Sequence, residues 1–309
     1  HIQTITLVER VCGICSHSHT LAYCLAVEKI AGMEVPKRGD YLRVITCELE
    51  RLHSHFLWLG LAAHIIGFDS LFMMCFEKRE KIMDMLETLS GNRVNYAMNI
   101  IGGARRDIND EIEKDLREKL SILKEDFKAI FDIYANDKTV ALRTKGVGVL
   151  TNEDAFIYGA CGPHGRASGM KDDVRKVDPY CSYDDFDFKA IVQAEGDVFS
   201  RAVVRLLEIE ESIKIIEQAL DNIPDTPINL GMKMPKVPKG EYFSRIEAPR
   251  GEVSYYVVSN GGQTNGRVNI HVPTFKNAAT VPVMLKDNTI ADAGLIVASI
   301  DPCFSCLDR

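Results

Sequence analysis

The chain has 309 residues, of which 46 % are apolar and 26 % charged, and a formal net charge of −7. This composition predicts a folded globular protein with a sizeable core. The charges are spread along the chain without a basic block, which argues against nucleic acid as a partner, and no apolar run reaches the roughly 18 residues that a membrane span needs.

Helices dominate the predicted secondary structure. Apolar residues spaced three and four apart predict four long helices, over 40–66, 71–89, 107–134 and 186–221. The helix over 186–221 ends at the Asn222-Ile223-Pro224 sequence, because proline cannot continue a helix. We therefore expect a helical bundle over about 40–223.

A smaller β element follows the helices. Prolines and glycines between 224 and 249 predict an irregular connection. Alternating β-branched and aromatic residues over 252–259 and 267–272, on either side of Asn260-Gly261-Gly262, predict a β-hairpin. The predicted fold class is mainly α with a smaller β element (α+β), in a single domain whose β element covers about 245–275.

Two Cys-x-x-Cys pairs lie near opposite ends of the chain, Cys12 with Cys15 and Cys303 with Cys306. Four thiolates form a complete soft-ligand set for a transition metal. Spacing alone leaves a structural zinc, a thioredoxin-type redox pair and a catalytic metal open, although a zinc ribbon usually brings its pairs within about twenty residues. We predict that the N- and C-terminal loops, over 10–19 and 301–309, converge on one metal site.

The other cysteines are expected to be packing residues. Nine cysteines in a chain of this length indicate a reducing compartment rather than a disulfide framework. Single cysteines in apolar or mixed surroundings usually act as small buried apolar side chains, and we predict this for Cys24, Cys47, Cys75, Cys161 and Cys181.

The residues around both pairs resemble the metal-binding signatures of the large subunit of [NiFe] hydrogenases. RVCGICSHSH (10–19) matches RxCGxCxxxH, and DPCFSCLDR (301–309) matches DPCxxCxxR/H. The blocks that extend the resemblance are ELERLHSHFLWLG (48–60), IIGGARRDI (100–108), GPHGRASGMKDDVRK (162–176) and EAPRGEVSYYVVSNGG (247–262). These blocks are also similar to the quinone-module subunit of respiratory complex I, a relative that has lost the metal-binding cysteines. Intact cysteines and a short chain resemble the energy-converting, membrane-bound, formate-hydrogenlyase-like branch.

The resemblance implies a hydrogenase that reversibly converts dihydrogen into two protons and two electrons by heterolytic cleavage at a Ni-Fe(CN)2(CO) centre. Nickel would be bound by Cys12, Cys15, Cys303 and Cys306, with Cys15 and Cys306 bridging to the iron. A terminal thiolate, Cys303 or Cys12, would be the base that receives the proton.

Five more residues take roles from the same resemblance. His19 would hydrogen-bond a bridging sulfur, Arg250 would lie over the open metal site, and Asp301 would hold Arg250 in place. Ser259 is a candidate donor to a cyanide. The family glutamate that passes protons precedes the first cysteine motif, so we expect that an N-terminal stretch of the family is missing, and Glu9 is the candidate substitute.

Two groups of residues receive weaker expectations. Arg105, Arg106, Arg166 and Arg175 are expected at a partner interface or around the cofactor. His53, His55, His64 and His164 are expected to make structural hydrogen bonds.

Partner subunits are implied because the chain has no cysteine run for an iron–sulfur cluster of its own. The resemblance implies a small subunit with a proximal [4Fe–4S] cluster, ferredoxin-like and integral membrane subunits that couple the reaction to ion translocation, and a maturation endopeptidase that leaves the chain mature at its C-terminus. The protein would be peripheral on the cytoplasmic side of the membrane, and ferredoxin-linked.

Two alternative functions stay open. One is a non-catalytic electron-transfer or scaffold subunit like that of complex I, with zinc or no metal. The other is a zinc-stapled interaction protein whose thiols matter only for folding.

Overall fold

The computed structural model describes residues 1–308 and is 57 % helical with 12 % strand, which confirms the predicted α+β class. The helices are α1 Ile2–Glu9, α2 Ser16–Ala31, α3 Lys37–Ile65, α4 Asp69–Ser90, α5 Asp110–Asn136, α6 Lys138–Thr144, α7 Asn152–Ile157, α8 Gly162–Arg166, α9 Val174–Val177, α10 Val198–Asp221, α11 Pro273–Ala278, α12 Val281–Leu285, α13 Ala293–Ser299 and α14 Phe304–Leu307. The strands are β1 Asn99–Ile100, β2 Gly103–Ala104, β3 Val237–Ala248, β4 Gly251–Gly262 and β5 Asn265–His271. Arg309, the last residue of the second cysteine motif, lies outside the described residues.

Helix α3 is the centre of the bundle. It begins directly after Pro36, whose extended backbone sets the entry of the chain, and it packs against α4 on one side and α10 on another. Its side chains are buried almost all round, as in a helix with no solvent face. Helix α5 is amphipathic instead and closes the bundle against α4 and α10. Within residues 1–308, none of the helices is both long enough and apolar enough to cross a membrane.

The predicted fourth helix is wrong over its first twelve residues. Helix α10 begins at Val198, because the Asp197 side chain accepts the backbone N–H of Ser200 at 2.7 Å and so caps the helix. Gly196 precedes it with a φ of +67°, a conformation that favours glycine. Phe186 therefore enters the core from an irregular segment rather than from a helix.

The sheet is larger than predicted. Strand β3 begins at Val237, inside the segment predicted to be irregular, and pairs antiparallel with β4 from Val237↔Gly262 to Ala248↔Gly251. Pro238 is tolerated because β3 is an edge strand of the β3-β4-β5 sheet. The β4–β5 hairpin is confirmed, but β4 continues through the predicted turn to Gly262.

Helix α2 lies on the sheet and brings the first cysteine motif to it. The sequence reasoning did not predict this helix, which packs against β3 and β4. Of the cysteines expected to be packing residues, Cys24, Cys47, Cys75 and Cys161 are buried, and Cys181 is partly exposed.

A buried ionic cluster joins α3, α10 and the segment around α9. Arg166 lies 2.7 Å from Glu208, and Arg175 lies 3.2 Å from Glu48, with all four side chains at most 1 % exposed. Arg51 completes the cluster, 3.2 Å from Glu48. Neither Arg166 nor Arg175 reaches the surface, so a place at a partner interface is wrong for both, and the alternative place around the cofactor stays a prediction.

Replacing Glu48 with glutamine should lower the free energy of unfolding by about 3–5 kcal/mol at neutral pH, the usual cost of breaking a buried ion pair. Burial alone would raise the pKa of Glu48, but Arg51 and Arg175 outweigh it and lower the pKa to about 2. The ionised carboxylate therefore stabilises the fold above pH 4.5, its ordinary pKa, and this contribution is lost as the pH falls from 4.5 towards 2.

Denaturant unfolding at pH 7 and pH 3 measures this effect. The difference between wild type and Glu48→Gln should shrink at the lower pH. Glu217→Gln is the control, because Glu217 pairs with Lys124 at the surface and such pairs contribute at most about 1 kcal/mol. The same destabilisation at both pH values would contradict the assignment.

Candidate metal centre

Four sulfur atoms from the two ends of the chain meet in one buried cluster. Cys12 Sγ lies 3.4 Å from Cys303 Sγ, and Cys15 Sγ lies 3.6 Å from Cys306 Sγ. The sulfurs of Cys12, Cys15 and Cys306 all lie within 4.8 Å of one another. No disulfide joins them. The predicted convergence of the N- and C-terminal loops is thus confirmed.

The first cysteine loop is shaped by backbone hydrogen bonds to sulfur. It connects α1 to α2, and the N–H groups of Ile14 and Cys15 each donate to Cys12 Sγ at 3.3 Å. Behind the loop, the Glu50 carboxylate accepts the N–H of His17 at 2.7 Å, at the free amino end of α2. Burial raises the pKa of Glu50 to about 8. These contacts hold the loop in the conformation in which both thiols lie next to the thiols of Cys303 and Cys306.

The second cysteine loop is held by Thr274 and Arg250. The Cys303 N–H donates to Thr274 Oγ1 at 3.1 Å. Arg250 Nη2 lies 2.7 Å from Asp301 Oδ1, and Arg250 Nε donates to the Asp301 carbonyl at 3.0 Å. Asp301 has a φ of +56°, a strained value for this residue, which these contacts maintain.

Arg250 also reaches helix α3, where its Nη1 donates to Ser54 Oγ at 3.2 Å. Burial opposes its charge, but Asp301 and the cysteine sulfurs outweigh burial and raise the pKa of the Arg250 guanidinium above its ordinary value. A permanently charged donor with three fixed contacts is thus held at the edge of the sulfur cluster.

His19 links the cluster to the sheet. Its Nε2 lies 3.5 Å from Cys306 Sγ, and its Nδ1 lies 2.7 Å from the Tyr255 hydroxyl. In the Nε2–H tautomer, His19 donates to the sulfur while Nδ1 accepts the Tyr255 proton. Tyr255 is on the buried face of β4 with Val253 and Val257.

Two of the residues predicted from the sequence, Glu9 and Ser259, hydrogen-bond backbone groups rather than a sulfur. Glu9 is buried, and its Oε1 accepts the Ala97 N–H at 2.6 Å. Ser259 Oγ accepts the Gly261 N–H at 3.2 Å, and Ser259 is four residues further along β4 than Tyr255, about 13 Å at the rise of a strand. Among the described hydrogen bonds neither residue contacts a cysteine sulfur, and the roles given to both residues stay predictions.

Several residues that support the site were missed by sequence reasoning. They are Ser54, Thr274 and Tyr255, described above, and Glu50. His53 makes the structural hydrogen bond expected of it, since its Nε2 lies 3.0 Å from the Ile14 carbonyl. Burial lowers the pKa of His53 to about 3, so the neutral ring holds the first cysteine loop. Strand alternation was the one signal available, and it places Tyr255 on the inner face of β4.

The electrostatics of the four sulfurs fit a bound cation. Hydrogen bonds from Cys15, Cys303 and Cys306 lower the pKa of Cys12, whereas the Cys12 thiolate raises the pKa values of Cys15 and Cys306. One thiolate is therefore stabilised by its neighbours, and further ionisation needs a positive ion among the sulfurs. Sulfurs that share a tetrahedral metal at about 2.3 Å lie roughly 3.8 Å apart, so both measured pairs fit with small shifts.

Replacing Tyr255 with phenylalanine should weaken metal binding by about 10- to 100-fold, the usual cost of losing a group that orients a residue next to the metal. The hydroxyl that holds the His19 tautomer is lost, while the ring still packs. Competition between the protein and a chelator for bound metal measures the affinity.

Tyr256→Phe is the matched control. Tyr256 is next to Tyr255 on β4 but points to the outer face, where its hydroxyl donates to Glu241 of β3. Equal affinities for the Tyr255 and Tyr256 variants would show that the His19–Tyr255 contact does not support the metal.

The chain is similar to known proteins over nearly its whole length. Residues 2–128 match the nickel-dependent hydrogenase family, and residues 66–234 and 228–309 match the respiratory-chain NADH dehydrogenase 49 kDa subunit family. The chain is 43 % identical to the carbon monoxide-induced hydrogenase of Rhodospirillum rubrum, over 99 % of this chain and 85 % of that protein. It is 40 % identical to the alpha subunit of the membrane-bound hydrogenase of Pyrococcus furiosus, over 100 % and 76 %. It is also 38 % identical to an NADH-quinone oxidoreductase subunit of Clostridium beijerinckii, over 100 % and 84 %.

Proposed function

We propose that this chain, which belongs to the family of [NiFe] hydrogenase large subunits and complex I 49 kDa subunits, is the catalytic large subunit of an energy-converting [NiFe] hydrogenase. The observation that carries the proposal is the meeting of four cysteine sulfurs from opposite chain ends, with 3.4 Å and 3.6 Å between the paired atoms. A scaffold subunit has no need of a complete soft-ligand set in its interior.

The proposed reaction is the reversible conversion of dihydrogen into two protons and two electrons. A nickel-iron group with carbon monoxide and cyanide ligands would, when bound, supply the heterolytic cleavage. Cys12, Cys15, Cys303 and Cys306 would hold the group through their thiolates.

The chain's own residues would manage the proton. Cys303 Sγ lies 3.3 Å from the exposed hydroxyl of Ser305, so a proton received at this sulfur has a polar neighbour that leads outward. Cys12 Sγ already accepts two backbone N–H groups, which disfavours a further proton there. Cys303 is therefore the stronger candidate for the base.

Arg250 would hold a fixed positive charge beside the reacting atoms, and His19 would donate to the sulfur of Cys306. Val272 packs against the cysteines and would help to exclude water. Fixed donors in a dry site stabilise developing charge better than mobile water does.

Electrons would leave through a small subunit that carries a proximal [4Fe–4S] cluster, and then through ferredoxin-like and membrane subunits that couple the reaction to ion movement. A relative named as part of a membrane-bound hydrogenase supports such an assembly. Leu7 and Phe304, each 70 % exposed, are large apolar side chains beside the two cysteine loops, as expected for a partner contact. The protein would be peripheral on the cytoplasmic side, after trimming by a maturation endopeptidase.

The second candidate function is a non-catalytic complex I-like subunit. It is favoured by the similarity to the NADH-quinone oxidoreductase protein of Clostridium beijerinckii, which covers the whole chain. In that case the cysteines would hold zinc or no metal.

Metal analysis decides between the two candidates. The protein is purified anaerobically from its native host, nickel, iron and zinc are measured per chain, and an infrared spectrum is recorded in the region of metal-bound carbonyl and cyanide. About one nickel and one iron with those bands are expected. Zinc or no metal, without the bands, would overturn the hydrogenase proposal.

A further inference from the structure

Two buried arginines on one face of α10 point at the segment that carries the second cysteine pair. Arg201 and Arg205 are at most 1 % exposed and are four residues apart, which places them on the same side of the helix. Arg201 Nη1 donates to Ser299 Oγ at 2.9 Å, and Arg205 Nη2 donates to the Ser299 carbonyl at 3.3 Å.

Trp58 of α3 contacts both Arg205 and this segment. Its Nε1 donates to the Ala298 carbonyl at 2.9 Å, and the Arg205 guanidinium lies 4.0 Å from the centre of its ring. The Arg205 Nη1 donates to the Arg201 carbonyl at 2.9 Å, which ties the two arginines together. Two helices of the bundle thus hold the same two residues, Ala298 and Ser299.

Those two residues form the carboxyl end of α13, and Cys303 follows four residues later. The last carbonyl groups of a helix lack partners within it and carry partial negative charge, so cationic donors stabilise them. The Ala298 carbonyl also accepts the Asp301 N–H at 3.0 Å, so Trp58 and Arg205 hold the chain at the point where it leaves α13 and enters the Asp301 turn.

The charge of this arginine pair is not matched by a carboxylate in contact with it. In the part of the chain that the structure describes, the groups that accept from Arg201 and Arg205 are carbonyls, a hydroxyl and a thioether. Burial lowers the pKa of Arg201 to about 9 and that of Arg205 to about 10, the latter against the attraction of Asp301. Buried cations of this kind are costly, and the carboxylates of Asp197, Glu208 and Asp301 offset the cost without contacting the guanidinium groups.

We propose that Arg201, Arg205 and Trp58 form an anchor that positions Cys303 and Cys306 against Cys12 and Cys15, through the backbone of Ala298 and Ser299. As an inference about how the metal is retained, it rests on the proposed function. The three are positioning residues, since none touches a sulfur.

The test compares two glutamine variants in the intact complex purified from the native host. Arg205→Gln removes the stacked cation and its bond to Ser299. The matched control is Arg143→Gln. Arg143 is 38 % exposed and pairs at 3.2 Å with Asp292, which directly precedes α13 at the end opposite Ser299. The alkylation rate of each cysteine is measured by peptide mass spectrometry, and nickel loss to a chelator is measured alongside.

Arg205→Gln should raise the alkylation rates of Cys303 and Cys306 at least about tenfold, the effect of losing a hydrogen bond from a charged donor. The rate of Cys24, buried in the main core, should stay unchanged, as should every rate in Arg143→Gln. Nickel should leave the Arg205 variant faster by a similar factor, and its cyanide bands should shift.

Trp58→Phe keeps an aromatic ring next to Arg205 and removes only the hydrogen-bond donor to the Ala298 carbonyl. This variant tests the anchor if Arg205→Gln does not fold. We expect a smaller rise, about threefold, again confined to Cys303 and Cys306, because the lost hydrogen bond comes from a neutral donor. Wild-type rates in the folded variants, or an equal rise at Cys24, would overturn the anchor. Each alkylation rate is expressed relative to wild type carrying the same metal, so zinc in the wild type would refute the hydrogenase while leaving this comparison valid.

Discussion

Replacing Cys306 with serine should remove nickel from the protein and abolish hydrogen activation, with the fold kept. The Cys306 sulfur lies 3.6 Å from that of Cys15 and 3.5 Å from His19 Nε2, so the variant loses one of the four proposed metal ligands and the sulfur that His19 contacts. A serine hydroxyl is a harder ligand that stays protonated at neutral pH, and it does not replace a thiolate for such a metal.

The loss should exceed about a hundredfold, because removing a group that merely orients a ligand already costs about 10- to 100-fold. Nickel per chain and the rate of exchange between deuterium gas and water are the measurements. Cys181→Ser is the control, since Cys181 is a free cysteine outside the cluster. Nickel and exchange at wild-type levels in Cys306→Ser would show that this thiol is not a ligand.

Replacing Arg250 with lysine should lower the exchange rate by about 100- to 1,000-fold, the cost of removing a fixed donor from developing charge. Lysine keeps the positive charge but not the planar fork, and it cannot hold the carboxylate of Asp301, the Asp301 carbonyl and Ser54 at once. Nickel content should stay close to that of the wild type, because all four thiols remain.

Arg245→Lys is the matched control for this prediction. Arg245 is on β3, five residues before Arg250, is 34 % exposed, and pairs with Asp178 at 2.8 Å. Its replacement should therefore leave the rate of exchange between deuterium gas and water unchanged. If Arg250→Lys exchanged at the wild-type rate with full nickel, Arg250 would be a structural ion pair with Asp301 and nothing more. A parallel loss of nickel and of rate would instead indicate that Arg250 acts through the placement of Cys303.

The sequence reasoning succeeded where a feature is local. The periodicity of α3 and α5 follows from side chains three and four residues apart, which share a face whatever surrounds the helix. It failed at the start of α10, because apolar residues after Phe186 keep a helical spacing in a segment that Gly196 and the Asp197 cap separate from the helix. It also failed at β3, because prolines and glycines are typical of an irregular connection, whereas an edge strand tolerates a proline.

The candidate site shows the same division. Cys12, Cys15, Cys303 and Cys306 were found from the sequence, because two thiols in a Cys-x-x-Cys turn and their flanking residues form a recognisable local pattern. Ser54, Thr274 and Tyr255 were not, because a serine on a helix or a tyrosine on a strand gives no local sign of what it will contact.

By itself, then, the sequence determined the four cysteines of the candidate site, the family and the mainly helical class, since each depends on residue identity and on spacing within a few positions. Only the tertiary structure decided which sulfurs pair, and that Ser54 of α3 accepts from Arg250 beside its predicted partner Asp301. Cys12 and Cys303 are 291 residues apart, and their 3.4 Å contact exists only when α2, α3, α10 and the sheet have packed. Contacts of that range are properties of the packed core, which no local pattern encodes.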